Sequence, residues 1–154
     1  MRSVLLAASI AVAASAVIAA PLTQDQAVAV MHDRHEGMES IGKATKAIHR
    51  GLEASTPDLA TVRGGAAQIA SLSRKASDWF PAGTGPEAGK TGAKPEIWQD
   101  PKDFAAKLSA FQKAAVGFDT AARGTDLGAI KASFSTLGGT CKACHDKYRS
   151  EMHH

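Results

Sequence analysis

The sequence predicts an all-α protein, an antiparallel four-helix bundle. From Pro21 onward no stretch alternates apolar and polar residues as a half-buried strand does. Apolar residues instead recur at steps of three and four, in four stretches that each follow a helix-capping residue. Two of the three connections between these stretches are short, which is typical of antiparallel neighbours.

Composition and charge narrow the class of protein. Of the 154 residues, 44% are hydrophobic and 21% are charged, as in one small globular domain. The 18 Lys and Arg outnumber the 15 Asp and Glu, but the charges are interspersed, so nucleic-acid binding has little support. The sequence offers no pair of acid and base groups that would act on a carbon substrate, so we do not expect an enzyme.

Residues 1–20 have the form of a secretory signal peptide. A positive start at Arg2 precedes an apolar stretch and then small residues. We therefore expect cleavage between Ala16 and Ala20, a mature domain at 21–154, export to the periplasm and no membrane attachment afterwards. An uncleaved anchor is the alternative, although this segment is weakly hydrophobic for a membrane span.

The first two helices follow from cap signals. Thr23 and Gln26 have the spacing of a capping box, so a first helix should begin near Gln24. Thr56 followed by Pro57 predicts the start of a second helix that runs to Pro81. Each helix has a stripe of residues that share its inward face. The first stripe is Met31, Arg34, Met38, Ile41, Thr45, Ile48 and Leu52, and the second is Leu59, Val62, Ala66, Ile69, Ser73, Ala76 and Phe80.

Glycines and prolines in residues 81–99 predict a long surface crossover without a regular element, in which Ile97 and Trp98 form a short apolar plug. Asp100 and Pro101 begin a third helix, and Thr125 caps a fourth. We expect helices of roughly 20 to 28 residues. The third stripe is Phe104, Leu108, Phe111, Ala115, Phe118 and Ala122, and the fourth is Leu127, Ile130, Phe134, Leu137, Cys141, Cys144 and Tyr148.

The fourth helix carries the chemistry. Residues 141–145 read CKACH, the CxxCH signature of c-type haem attachment. On a helix, Cys141 and Cys144 share a face, so both thiols can meet the vinyl groups along one side of a porphyrin. His145 lies near that face, where its imidazole can ligate the iron. Because both cysteines fall on the apolar stripe, the sequence predicts one covalent haem c inside the bundle near the C-terminal helix.

Other roles for the two cysteines stay open at this point. They are a thioredoxin-like redox pair, a disulfide across one helical turn, and a zinc site completed by a tail histidine such as His153. The last two define a rival class of protein, an exported structural bundle that holds zinc or a disulfide.

With these motifs the chain resembles the class II c-type cytochromes, of which cytochrome c′ is the best-known member. The resemblance rests on Arg34 and Met38 in the first helix, on AKPEIW at 93–98, on residues 141–149, and on the place of CxxCH near the C-terminus of a helical chain. It implies one-electron transfer with redox partner proteins, or binding of nitric oxide or carbon monoxide at a five-coordinate iron. It also implies homodimers that pair through the first two helices.

The resemblance further implies haem contacts outside the CxxCH segment. Arg34 lies in an apolar seam, where a haem propionate would compensate its charge; the alternative is a head group that reaches solvent. His35 stands where relatives often have a glutamine near the propionates, or is a solvated surface histidine. The full set of lower-ranked haem contacts is Arg34, His35, Met38, Lys94, Glu96, Tyr148 and Arg149.

Met38 and Arg149 each have more than one interpretation. Met38 matches the family position that faces the iron opposite the axial histidine. It either ligates the iron, as in low-spin His/Met electron carriers, or leaves the iron five-coordinate, or is a plain core residue. We expect the five-coordinate form. Arg149 either shapes the proximal haem face or is a surface cation near a helix C-terminus.

Overall fold

The computed structural model describes residues 20–151, and no strand occurs in that range. Its helices are α1 (Gln24–Glu53), α2 (Leu59–Lys75), the single turn α3 (Glu96–Gln99), α4 (Pro101–Ala122) and α5 (Leu127–Tyr148). The predicted all-α bundle is confirmed, with α1, α2, α4 and α5 as its four helices. None of the described helices has the length and apolar character needed to cross a membrane. The predicted signal peptide falls outside the described residues.

Two predicted helix starts are confirmed. The Thr23 hydroxyl accepts a hydrogen bond from the backbone of Gln26, and the Gln26 side chain accepts one from the Thr23 backbone, so the capping box is complete. At α4, the Asp100 carboxylate accepts from the backbone N–H of Asp103, and Pro101 is the first helical residue.

The predicted caps of α2 and α5 are wrong. Asp58, not Thr56, caps α2, because its carboxylate accepts from the Thr61 backbone at 3.1 Å and from the Thr61 hydroxyl at 2.6 Å. Asp126, not Thr125, caps α5 and accepts from the backbone three residues on at 3.1 Å. In both turns the aspartate lies nearer the helix than the threonine, and its carboxylate reaches the unpaired N–H groups there.

Element lengths also differ from the prediction. α1 has 30 residues and α2 has 17, both outside the expected range. α2 ends at Lys75 and continues as one 3-10 turn, Ala76–Trp79, instead of running to Pro81. The crossover does contain a regular element, since the predicted apolar plug is the helical turn α3, with Ile97 buried.

The bundle is packed closely on three of its sides. α1 packs on α2, α2 on α4, and α4 on α5, whereas the backbones of α1 and α5 do not pack closely. The fully buried side chains of Ile48, Ile69, Phe118 and Ile130 bring all four helices into one main core. Each such side chain stabilises the fold by about 1.5–3 kcal/mol. α1 and α5 meet instead through side chains, since Lys131 of α5 pairs with Glu53 at the end of α1 at 3.2 Å.

Gly37 allows the 3-10 turn to approach α1 closely. The Trp79 indole is 7% exposed and lies against the α1 backbone at this glycine. A Cβ atom at position 37 would overlap the indole ring. The 3-10 turn therefore docks on α1 only because residue 37 has no side chain.

Residues 80–95 close one end of the bundle. The Gln24 amide donates to the Ala88 carbonyl at 2.8 Å, which joins this segment to the start of α1. The Lys94 N–H donates to the Tyr148 carbonyl and the Ser150 N–H to the Gly92 carbonyl, both at 2.9 Å, which joins it to the end of α5. The segment predicted as a surface crossover is therefore a cover over the bundle end at which α5 terminates. This loop is called the end loop below.

Candidate haem-binding site

Cys141 and Cys144 lie on the core side of α5. Both side chains are half-buried and neither forms a disulfide. Cys141 packs against the main core, and Cys144 packs against a second apolar cluster whose members are Ile97, Phe104 and Tyr148. Both thiols thus face inward from the same side of α5, as attachment to one planar group requires.

Burial raises the pKa of both thiols above the ordinary value. At Cys141 a hydrogen bond with Thr140 opposes part of the rise, and at Cys144 the positive charge of Lys107 does so. The cysteines are therefore neutral thiols at pH 7. Because thiol oxidation and zinc binding both use the thiolate, this environment favours neither.

The imidazole of His145 is open to a ligand. The residue is exposed, although crowding of the ring by protein atoms lowers its pKa, and the positive charge of Arg149 adds to this effect. A lowered pKa leaves the imidazole neutral at pH 7, with a nitrogen lone pair available to a metal. The donor set of two free thiols and one neutral imidazole therefore fits a c-type haem.

The rival roles of the cysteines fit less well. A thioredoxin-like pair needs a strand before its helix, and residues 20–151 contain none. In the same residues, the one group of three candidate ligand atoms within 4.8 Å of each other belongs to His35, Glu36 and Glu39, all exposed on α1. The sulfur atoms and His145 do not converge in this way, and His153 lies outside the described range.

Met38 faces the interior from α1. It is half-buried on α1 and packs against the main core, as Cys141 does from α5. Two sulfur-bearing side chains thus contact the same core, one from α1 and one from α5. Whether the Met38 sulfur bonds to iron stays a prediction.

Arg34 is held by the end loop. Its side chain is 5% exposed, so the alternative that its head group reaches solvent is wrong. One terminal nitrogen donates to the Trp79 carbonyl at 3.0 Å and the Thr84 hydroxyl at 3.2 Å. The other donates to the Thr84 carbonyl at 2.9 Å and the Thr91 hydroxyl at 3.0 Å. The guanidinium also lies 5.1 Å from the centroid of the Phe80 ring.

These four bonds use both terminal nitrogens of Arg34, and every acceptor is an uncharged oxygen. Sequence analysis missed Thr84 and Thr91, because they follow Arg34 by 50 and 57 residues and no spacing rule links them. A contact between Arg34 and a propionate stays a prediction.

The other predicted contact residues lie in different surroundings. His35 is exposed on α1, whereas Lys94 is half-buried and its backbone pairs with α5. One carboxylate oxygen of Glu96 is buried without a hydrogen-bond partner among the described residues. Arg149 is exposed and forms an isolated β-bridge with Ala93. Their contacts with haem stay predictions.

Tyr148 is 3% exposed, and its hydroxyl donates to an Asp103 carboxylate oxygen at 2.6 Å. Lys147 donates to Asp103 at 3.0 Å and to Asp100 at 2.8 Å. Sequence analysis missed this network. The aspartates look like ordinary first-turn residues of α4, and only the fold places the end of α5 beside them.

The profile of the cytochrome c′ family matches residues 29–149. The chain belongs to the cytochrome c′ family. Cytochrome c′ of Alcaligenes xylosoxydans xylosoxydans is 39% identical over 94 residues, which cover 61% of this chain and 71% of that relative. Cytochrome c′ of Rhodopseudomonas palustris is 35% identical over 125 residues, covering 79% of this chain and 82% of the relative. The expected resemblance is confirmed.

Solved structures agree with this assignment. The crystal structure of cytochrome c′ from Thermochromatium tepidum superposes with a TM-score of 0.75 at 28% identity, over 86% of this chain and 100% of that one. Members of the cytochrome c′ family carry covalently attached haem c, and this chain is a haem c protein. The predicted cofactor is confirmed.

Proposed function

We propose that this chain is an exported haem c protein that transfers single electrons and binds small gases at a five-coordinate iron. The observation that carries the proposal is the pair of half-buried cysteines without a disulfide on the core side of α5, beside the exposed imidazole of His145. The sequence indicates no acid–base pair for a carbon substrate, so the proposal includes no enzymatic activity.

The proposed roles divide among three residues of α5. Cys141 and Cys144 supply the two thioether bonds, and His145 supplies the axial nitrogen ligand. When bound, the haem would supply an iron that changes between two oxidation states and can take a further small ligand. The main core, which Cys141 and Met38 both contact, excludes water on the interior side. A dry apolar pocket favours uncharged ligands, such as small gases, over anions.

Gas binding also has support from a structural neighbour. A cytochrome c prime variant from Alcaligenes xylosoxidans was solved as its nitric oxide complex, and it superposes on this chain with a TM-score of 0.71 at 29% identity. We therefore propose nitric oxide or carbon monoxide as the ligand class. The alternative function is a low-spin His/Met electron carrier, which the interior position of Met38 favours.

The absorption spectrum of the purified protein tests both functions. We expect a Soret band that survives acid–acetone extraction, because the haem is covalent. We also expect a high-spin oxidised spectrum that Met38→Leu leaves unchanged, and carbon monoxide binding after reduction. A sulfur-to-iron charge-transfer band that Met38→Leu abolishes would instead establish the His/Met carrier. A protein without a Soret band would refute both functions.

We propose export to the periplasm from the form of residues 1–20. The mass of the mature protein checks this, since cleavage should remove 16 to 20 residues.

We propose that the protein forms homodimers. One cytochrome c′ that superposes with a TM-score of 0.75 is described as having ligand-controlled dimer dissociation. Sedimentation at tens of micromolar should give twice the protomer mass, and a single protomer mass would contradict the proposal.

A further inference from the structure

The last turn of α5 is held from two sides. His145 is three residues before Tyr148, so the imidazole and the tyrosine ring project from the same helical turn. On one side, backbone hydrogen bonds at 2.9 Å join Lys94 to Tyr148 and Ser150 to Gly92, as described above. On the other side, Asp103 accepts from both Tyr148 and Lys147. A helix end without such partners frays.

Asp103 differs from the other groups that hold the last turn of α5, because its partner Tyr148 is a buried residue. The Tyr148 ring lies edge-on to Phe104, with centroids 5.2 Å apart, and in residues 20–151 its hydroxyl donates to Asp103. A hydroxyl donating to a carboxylate forms a short, strong hydrogen bond, whereas the exposed Lys147 pairs contribute little. Asp103 is also rigidly placed, because its own N–H donates to the cap of α4 at 3.3 Å.

We propose that Asp103 is a positioning residue for His145: by holding the Tyr148 hydroxyl, it fixes the turn that presents the imidazole. This inference rests on the proposed role of His145 as axial ligand. Groups that orient a metal ligand without touching the metal change its affinity and electronic properties. The orientation of an axial imidazole follows the helix that carries it, and small displacements of that helix alter the bond to iron.

The test uses holo-protein with Asp103→Ala and Tyr148→Phe. Tyr148→Phe keeps the ring and every charge and removes the hydroxyl alone. Asp146→Asn is the matched control, because Asp146 is the neighbour of His145 in the sequence and also carries a negative charge. It pairs with Lys142 of α5 at 2.6 Å and does not reach α4. A change caused only by loss of a negative charge near the haem would appear in Asp146→Asn and be absent from Tyr148→Phe.

Two measurements report on the turn and on the ligand. Hydrogen exchange of residues 145–150 should accelerate about tenfold in Asp103→Ala and Tyr148→Phe, the factor expected for loss of one strong hydrogen bond. The iron–histidine stretching band of the reduced protein should shift in the same two variants and shift much less in Asp146→Asn.

An unchanged band in haem-loaded Tyr148→Phe would overturn the inference, even if the melting temperature fell. A band shift in Asp146→Asn as large as that in Tyr148→Phe would overturn it as well. If Asp103→Ala does not fold, Tyr148→Phe alone decides. Wild-type protein that carries no covalent haem would refute the proposed function, which is a separate result.

Discussion

At the residue scale, Arg34 shows what spacing can and cannot predict. Its place in an apolar seam correctly indicated a buried cation that needs partners. Spacing could not predict the loop oxygens that accept from Arg34, because contacts over 45 to 57 residues depend on the path of the end loop. Arg34 therefore fastens the end loop to α1, whether or not it also meets a propionate.

Arg34→Met tests this fastening. Methionine has similar length and apolar character but no donors, so it leaves the oxygens of Trp79, Thr84 and Thr91 without their partner. We expect the free energy of unfolding to fall by about 3 kcal/mol, measured by chemical denaturation of the holo-protein. Proteolysis within residues 81–92 should also become faster. Arg34→Lys should give an intermediate loss, since one ammonium cannot span both sets of acceptors. Unchanged stability and proteolysis in Arg34→Met would contradict the assigned role.

At the scale of elements, the four bundle helices and most of their buried stripes were predictable, because helical periodicity and caps are local. The starts of α2 and α5 were misplaced by two residues and one residue, since two capping residues stand close together in each turn. The helical turn α3 was missed because four residues among glycines and prolines give no periodic signal. Gly37 was missed because the indole it accommodates belongs to residue 79.

The Asp58 cap makes a prediction about pH. Hydrogen bonds from the Thr61 hydroxyl and backbone hold the pKa of Asp58 below its ordinary value of 3.8. A carboxyl whose pKa is lowered by folding stabilises the native state above the unfolded pKa, and this stabilisation disappears as the pH falls through the folded pKa. Asp58→Ala should therefore lower the melting temperature at pH 7 and have little effect near pH 2.

Asp58→Asn and Thr56→Ala are the controls for the cap. Asparagine caps helices well and does not titrate, so this variant should keep much of the stability at pH 7 and lose only the part of the acid dependence that Asp58 contributes. Thr56→Ala should leave the melting temperature nearly unchanged. A larger loss in Thr56→Ala than in Asp58→Ala would restore the cap predicted from the sequence.

At the scale of the whole molecule, Cys141 and Cys144 place the attachment points of the haem against the two apolar clusters. Sequence analysis predicted the inward face of these cysteines, since Cys141 and Cys144 continue the apolar stripe of α5, whereas the interior position of the haem itself stays a prediction. It could not predict which residues contact each cysteine, because that depends on how the helices are arranged around the bundle axis. Cys141 contacts the main core, as Met38 of α1 does, and Cys144 contacts the cluster of Ile97, Phe104 and Tyr148.

The double variant Cys141→Ala, Cys144→Ala should lose covalent haem and with it the cooperative unfolding transition. The empty space would leave apolar side chains without contacts, which is a large penalty for a small domain. Near-ultraviolet circular dichroism and a thermal melt measure this loss. Cys144→Ala alone should keep one attachment and an intermediate melting temperature. A haem-free double variant that melts cooperatively at the wild-type temperature would show that the fold is independent of its cofactor.

The closely packed sides also have a consequence for the rate of folding. α1 with α2, and α4 with α5, are joined by short turns, so most native contacts in each pair form between segments close together in the chain. Chains dominated by such local contacts fold rapidly. The bonds of the end loop join residues far apart in sequence, such as Arg34 to Thr84 and Lys94 to Tyr148, and their loop-closure entropy must be overcome later. We therefore expect two helical hairpins to form first, and closure of the end loop over the bundle to limit the rate.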